Sequence, residues 1–290
     1  MEAAETVLDD SSLLSVPGAP VTRIQPSPGW FSLKLAELWQ YRELLYFLIW
    51  RDVKVRYKQT AFGSAWAILQ PLLTMLVFTV VFGNLAKISS GGIPYPLFSF
   101  AGLLPWMLFA GALSRSTMSV VGQSNLILKV YFPRLIVPLS ATVSGLVDFA
   151  IAFMLLLGMM LWYGVAPSWG ILAVPLFLLL ALVTGLAVGL WLSALNVKYR
   201  DVGHAIPFFI QLWMFASPVA YPVSLIPEKW RMVYGLNPMV GVIQGFQWAL
   251  LGQQQPDLGV MGLSSISVVA VLLTGLIFFR RMERTFADVV

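Results

Sequence analysis

The chain has 290 residues, 59% of them hydrophobic and only 11% charged, with a formal net charge of +5. A chain of this length cannot clothe itself in polar surface as a soluble domain must, so a polytopic membrane protein is expected and a soluble enzyme is excluded. The cations sit in short loops beside apolar runs, which fits membrane topology and not nucleic-acid binding; with no cysteine and a single histidine, His204, neither a thiolate nor a His-based metal site is expected.

Residues 1–30 are polar, carry Glu2, Glu5, Asp9 and Asp10, are punctuated by Pro17, Pro20, Pro26 and Pro28, and contain no apolar signal core. They read as a disordered cytoplasmic tail, and residues 31–290 as one all-α membrane domain. About Leu33 to Val53 the pattern is amphipathic. Gln40, Glu43, Arg51, Lys54 and Lys58 fall on one side of the wheel and Leu38, Leu45, Ile49 and Val53 on the other, with Phe47 breaking the pattern. This is the signature of an interfacial helix. Arg51, Lys54, Arg56 and Lys58 crowd ahead of the first apolar run, so this flank is expected on the cytoplasmic side.

Six membrane spans are predicted, at about 65–86, 97–121, 139–163, 171–195, 203–221 and 261–279. The fifth is short and bounded by prolines. The apolar stretch Met239–Leu251 has only 13 residues, fewer than the roughly 20 needed to cross, and reads as re-entrant or interfacial. Six crossings place both termini in the cytoplasm and leave Lys87, Lys229 and Arg231 outside, against a much larger inner set of Lys and Arg. Among these spans Asp148 is the only acid and Arg115 its one candidate partner. On helical rise they lie about 14 Å and about 9 Å from the inner ends of adjacent spans. A structural ion pair is expected, with snorkelling of Arg115 to the inner interface as the alternative.

No GxxxxGK[ST] loop, HExxH or GxSxG occurs, so neither ATP hydrolysis nor hydrolase chemistry is expected of this chain, and no catalytic residue is assigned. One intramembrane acid is too few for a proton relay. What remains is a conduit or scaffold driven by something else. Two inner loops are candidates for docking. In the first, Asn125 is expected to cap a short helix with apolar Leu126, Ile127, Val130 and Phe132 and charged Lys129 and Arg134, ended by Pro133 and Pro138; a helix lying on lipid is the alternative. In the second, Tyr199, Arg200 and Asp201 form either a docking turn or a plain solvated one.

The runs YRELLYFLIWRDVKVRYKQTAFGSAWAILQP (41–71), NLILKVYFPRLIVPL (125–139) and KYRDVGHAIPF (198–208) closely resemble the permease subunits of type 2 ABC exporters. The branch they are nearest to exports O-antigen and related cell-envelope polysaccharides. The resemblance implies a homodimer in the bacterial inner membrane. It also implies two copies of a separate ATPase that binds the ATP and Mg, a lipid-linked glycan as substrate, and no cofactor in this chain. It assigns an interface helix at about Leu33–Val53, an ATPase-coupling helix at about Asn125–Phe132 and outer re-entrant helices over Pro227–Leu251. Teichoic acid or small-molecule export is the alternative within transport, and an ATP-independent flippase or glycosyltransferase outside it.

Trp66, Trp106, Trp162, Trp169, Trp191 and Trp230 lie near predicted span ends, as an interfacial aromatic belt would. In the first span Trp66, Gln70, Thr74 and Phe78 recur every four residues, and in the fifth Phe208, Gln211 and Phe215 share a side. Rings, amides and hydroxyls together suit neutral sugars, which offer CH faces and hydroxyls, so these residues are expected to line a translocation path. Helix packing glued by polar side chains is the alternative.

Overall fold

The computed structural model describes residues 35–58, 65–252, 256–283 and 286, all helical or irregular. The tail predicted for residues 1–30 lies outside the described residues. In chain order the helices are α1 (Leu35–Gln40), α2 (Arg42–Lys58), α3 (Ala65–Phe78), α4 (Tyr95–Gly122), α5 (Ser124–Lys129), α6 (Ile136–Val143), α7 (Leu146–Trp162), α8 (Val174–Lys198), α9 (Asp201–Phe215), α10 (Glu228–Gly235), α11 (Pro238–Leu251) and α12 (Leu258–Glu283). A π-helical segment, Thr79–Leu85, continues α3.

Among the described residues five stretches are long and apolar enough to cross a membrane: Ala65–Leu85, Tyr95–Gly122, Ile136–Trp162, Trp169–Lys198 and Leu258–Glu283. The protein is an all-α, multi-pass membrane protein. The fifth predicted span is represented by α9, whose 15 residues make about 22 Å of helix, less than the roughly 30 Å hydrocarbon core. From Asp201 the chain nevertheless reaches Ala220, whose carbonyl accepts a hydrogen bond from the Tyr95 hydroxyl at the start of α4.

Among the described residues two large cores organise the bundle, beside a small cluster of Val223, Val240 and Val260. The larger runs along α4, whose apolar side chains are buried on nearly all sides against α7, α8 and α11. The smaller of the two large cores joins Leu48 of α2, Ile127 of α5, Ile136 and Val137 of α6, Val197 of α8 and Phe279 with Phe286 at the chain's C-terminal end. These are the segments that carry the basic residues, so one end of the bundle collects the loops at which the predicted spans turn. The α4–α8 crossing is made close by small residues. A Cβ at Gly185 would lie 2.6 Å from Ala112, and one at Gly189 would lie 2.5 Å from Ser116. Without a hydrophobic drive between helices in lipid, such close backbone approach supplies the dispersion contact that holds them together. Gly275 does the same for α12 against the Ala187 carbonyl, 2.6 Å from its added Cβ.

Four local expectations are corrected. The interface helix is interrupted at Tyr41 and runs on to Lys58, beyond the expected end at Val53. Asn125 does not cap α5; Gln123 does, in an irregular conformation (φ −115°, ψ 24°), because only one residue separates α4 from α5 and its carbonyl takes the first backbone bonds from Leu126 and Ile127. Trp106 is not at an interface but in the core, 5.1 Å from the Phe109 ring. Met239–Leu251 lies within α11, which is buried among α4, α8 and α12 and so does not lie along a lipid surface.

Gly189→Leu should push α4 from α8 and cost about 1–3 kcal/mol as an overpacked core. The expected outcome is a clear loss of monodisperse protein on size-exclusion chromatography, whereas Gly158→Leu, where an added Cβ meets nothing within 4 Å, should leave the profile unchanged.

Candidate functional site

A cleft of about 560 Å³ opens between α3, α4, α7 and α9. Its walls come from Trp66, Gln70 and Thr74 of α3, Leu104 and Met107 of α4, and Pro207, Gln211 and Met214 of α9. At one end lie Arg56 and Tyr57 of α2, Arg115 of α4 and Asp148 in the first turn of α7. The cleft exists because α3 rests on α4 and α7 whereas α9 rests on α4 and α8, so the two helices diverge over the face of α4.

The predicted stripes enter this cleft in part. Trp66, Gln70, Thr74 and Gln211 line it, although the Thr74 hydroxyl donates back to the Gln70 carbonyl at 2.9 Å. Phe78 does not; it is only 5% exposed and packs edge-on against Phe82 at 5.5 Å. A four-residue repeat drifts about 40° per step on a 3.6-residue helix, so after three steps Phe78 has turned about 120° from Trp66. Phe208 and Phe215 are exposed outside the cleft. The cleft side of α9 is centred on Pro207, Ile210, Gln211 and Met214, and both rings sit roughly a quarter turn away.

Asp148 gathers the charges. Arg56 donates from Nη1 to Asp148 Oδ2, and the Tyr57 hydroxyl donates to Oδ1. Arg115 Nη1 lies 3.8 Å from Oδ2, and its Nε donates to the Ala141 carbonyl at 3.1 Å. Arg56 Nη2 also reaches the Ser144 hydroxyl at 3.3 Å. The break between α6 and α7 makes room: a Cβ at Gly145 would fall 1.9 Å from Arg115 Nη2. Burial and the hydrogen bond to Asp148 push the Tyr57 hydroxyl up to about 12, so at neutral pH it remains a donor. Sequence reasoning paired Arg115 with Asp148 but missed Arg56 and Tyr57. Their only local signal was membership of the basic flank ahead of the first span.

At the basic end the candidate docking residues divide into two sets. Asn125, Lys129, Val130, Tyr199, Arg200 and Asp201 are exposed, as are Leu128 and Tyr131, which sequence reasoning did not single out. Ile127, Phe132 and Pro133 are buried and Leu126 half-buried, so they hold the loop to the bundle. Arg134 donates to the Glu283 carbonyl and stands 5.9 Å over the Phe286 ring, tying the loop to α12. On α2, Gln40, Glu43, Lys54 and Lys58 are exposed, and Arg51 pairs with Asp52 at 2.8 Å. Among the described residues no group of three or more His, Cys, Asp or Glu is placed to hold a metal ion.

The comparisons with known proteins converge. The sequence profile of the ABC-2 type transporters matches residues 43–251. The O-antigen export system permease protein RfbA of Myxococcus xanthus is 35% identical over 251 residues, covering 85% of this chain and 95% of that protein. The protein of the same name from Klebsiella pneumoniae is 28% identical over 257 residues, covering 85% and 95%. The polysialic acid transport protein KpsM of Escherichia coli is 22% identical over 243 residues, covering 81% and 92%. With a match over most of its length and a relative this similar from end to end, the chain belongs to the ABC-2 type transporter family.

Proposed function

We propose that this chain is the membrane permease subunit of an ABC system that exports a lipid-linked polysaccharide of the O-antigen type. The observation that carries the reading is the cleft beside α4, where a ring, two amides and a hydroxyl stand on otherwise apolar walls, together with kinship to export permeases. Sugars need both kinds of surface: CH faces for rings and hydroxyls for amides. The chain is non-catalytic. The ATP and Mg belong to a separate ATPase, two copies of which dock on two copies of the permease, with membrane lipids around them and no nucleic acid. The complex sits in the bacterial inner membrane.

We read the chain as crossing six times, with both termini cytoplasmic, over one membrane domain from residue 31 to 290. Parity supports this. Leu48, before the first crossing, and Phe286, after the last, share one buried cluster, which an odd number of crossings would separate. α9 with the segment to Ala220 supplies the additional crossing. α10 and α11 form the re-entrant pair on the outer side. In support, Asn237 at the start of α11 donates to the Ala216 carbonyl at 3.0 Å, and Leu250 near its end accepts from the Ser168 amide at 3.3 Å. Both contacts are with loops remote from the basic cluster.

The ATPase-facing surface is read as Asn125, Leu128, Lys129, Val130 and Tyr131 with Tyr199, Arg200 and Asp201. An apolar anchor flanked by charges is the usual make-up of such a patch. Tyr131→Ala with Tyr199→Ala should reduce the ATPase that co-purifies with the permease about tenfold, the loss expected of an interface anchor worth about 1.4 kcal/mol. Phe132→Ala should instead lower the yield of folded permease, measured by the same purification. Equal ATPase recovery from the double variant and the wild type would move the docking surface elsewhere.

The path has its own test. The chain has no cysteine, so single substitutions report cleanly. Cysteine at Gln70 or Gln211 should react with a water-soluble thiol reagent during active export, and bulky modification there should stop export. Cysteine at Phe78 should stay unlabelled.

A further inference from the structure

Asn196, in the last turn of α8, is buried, and its amide is used across helix boundaries. Its Oδ1 accepts from the Gly203 amide of α9 at 3.0 Å, and its Nδ2 donates to the Thr117 carbonyl of α4 at 3.3 Å, beside Met118 Sδ at 3.5 Å. One side chain thus joins three helices. The Gly203 amide, which it shares with the Arg200 carbonyl at 3.2 Å, is one of the first N–H groups of α9, and these have no acceptor four residues back inside their own helix. Arg200, the residue placed to cap them, makes no side-chain cap, so the cap comes from α8 instead. The joint has little spare room: an added Cβ at Gly203 would lie 2.7 Å from Met118 Cε and 3.1 Å from Asn196 Oδ1. Packing does less to fix this helix. Of the 15 residues of α9 only Gly203 and Ile206 are buried, and Phe208, Phe209, Leu212 and Phe215 are exposed.

We propose that Asn196 is a positioning residue that sets the height and rotation of α9, and with them both the turn Tyr199–Asp201 and the cleft wall that carries Gln211. The amide closes the turn at its two ends: the chain leaves α8 after Lys198, and two residues beyond Asp201 it is held again through Gly203. Tyr199, Arg200 and Asp201 therefore project from a loop whose base is a single amide bridge. Gln211 lies about 15 Å further along the helix, and because each residue turns a helix by about 100°, a slip of one position at the first turn would carry it out of the cleft. Without Asn196 the first amide groups of α9 lose their acceptor in an interior where water does not replace it, so the turn frays and the wall loses its setting. A force applied to the turn by the ATPase would reach the cleft through this joint. That use rests on the reading of Tyr199–Asp201 as ATPase-facing; the geometry of the joint does not.

The test uses two probes on the purified full-length chain in detergent micelles, each on a single introduced cysteine. A nitroxide on Tyr199→Cys reports the turn, and the rate at which Gln211→Cys reacts with a water-soluble thiol reagent reports the wall. Asn196→Leu, close in shape but without polar atoms, should make the nitroxide more mobile and change the Gln211→Cys labelling rate about tenfold, as expected for the loss of a buried, hydrogen-bonded amide. Asn196→Asp, which keeps the acceptor for Gly203, should fall between Asn196→Leu and wild type. Gly203→Ala leaves Asn196 in place but crowds its Oδ1; it should move the same two probes, and it keeps the test readable where Asn196→Leu folds poorly. Ser193→Ala is the control. Ser193 is as buried, about one turn earlier on α8, but donates only to the Leu190 carbonyl of its own helix at 3.1 Å, so neither probe should respond. Probes that behave as in wild type in both Asn196→Leu and Gly203→Ala would overturn the positioning role. So would a response seen only together with loss of monodisperse protein, which is the mark of stability alone. ATPase recovery with the same variants reads the docking proposal separately: unmoved probes with reduced recovery strike the positioning role alone, and moved probes with full recovery support it and remove Tyr199–Asp201 from the docking surface.

Discussion

A carboxylate in the first turn of an apolar helix has to be compensated where it stands, since a lone charge within a span costs on the order of 3 kcal/mol on insertion scales. Asp148 is compensated from two directions: Arg56 and Tyr57 arrive from α2, which precedes the first span, and Arg115 from about two turns before the end of α4. The consequence reaches beyond the local pair. The helix ahead of the first span is fixed against α7, and the floor of the cleft is closed by charged groups and not by packing. Breaking one partner of such a cluster leaves the others unpaired, which is why these residues act as a unit.

Around that fixed point α4 serves as the spine. It is packed by α8 through Gly185 and Gly189, by α7 and by α11, and it retains one open face toward α3 and α9. α3 is correspondingly the least buried of the long helices. Its continuation is π-helical from Thr79, and Gly83 in that segment receives the Tyr95 ring, with 2.9 Å from an added Cβ to the ring. Tyr95 in turn bonds the Ala220 carbonyl. The two helices that flank the cleft are thus linked at the end opposite the charged floor through one aromatic side chain. π-segments concentrate where a helix has to adjust around a function.

Polarity at the two ends is managed differently. At the basic end the loops are held by buried apolar anchors, Ile127 and Phe132 with Phe279 and Phe286, and project their charged and aromatic residues outward. At the other end a single amide does much of the holding: Asn237 accepts from the Trp213 indole at 2.9 Å, donates to Ser217 Oγ at 3.0 Å and caps α11 through the Met239 amide. Ser264 adds a second staple, donating to the Gly235 carbonyl at 2.9 Å and accepting from the Gly241 amide. Buried backbone groups freed at helix ends in an apolar bundle need such partners, because no water is there to replace them.

Much of the architecture was legible in the sequence because it depends on composition and short-range period. Runs of apolar residues long enough to cross, the basic flanks beside them and the absence of any nucleotide loop are properties of consecutive residues, and they carried the class, the position of five long helices and the family. The shortness of the fifth span was legible but not where its helix ends, and the burial of α11 was not legible, since a 14-residue apolar helix reads alike whether it faces lipid or protein. Chemically equivalent neighbours were equally opaque: Phe132 is 4% exposed and Tyr131 70%. Phe78, Phe208 and Phe215 shared a nominal stripe with the cleft residues, but helix rotation about its own axis is set by packing against α4, and it turned them away. The meeting of Tyr57 and Arg56 with Asp148 joins residues 91 and 92 positions apart, on helices whose approach depends on every intervening turn. Sequence alone determined which five segments are long and apolar enough to cross a membrane, because hydrophobic transfer is a sum over local residues; only the tertiary structure decided which side chains face one another between helices, because that depends on the rotation and crossing of whole helices.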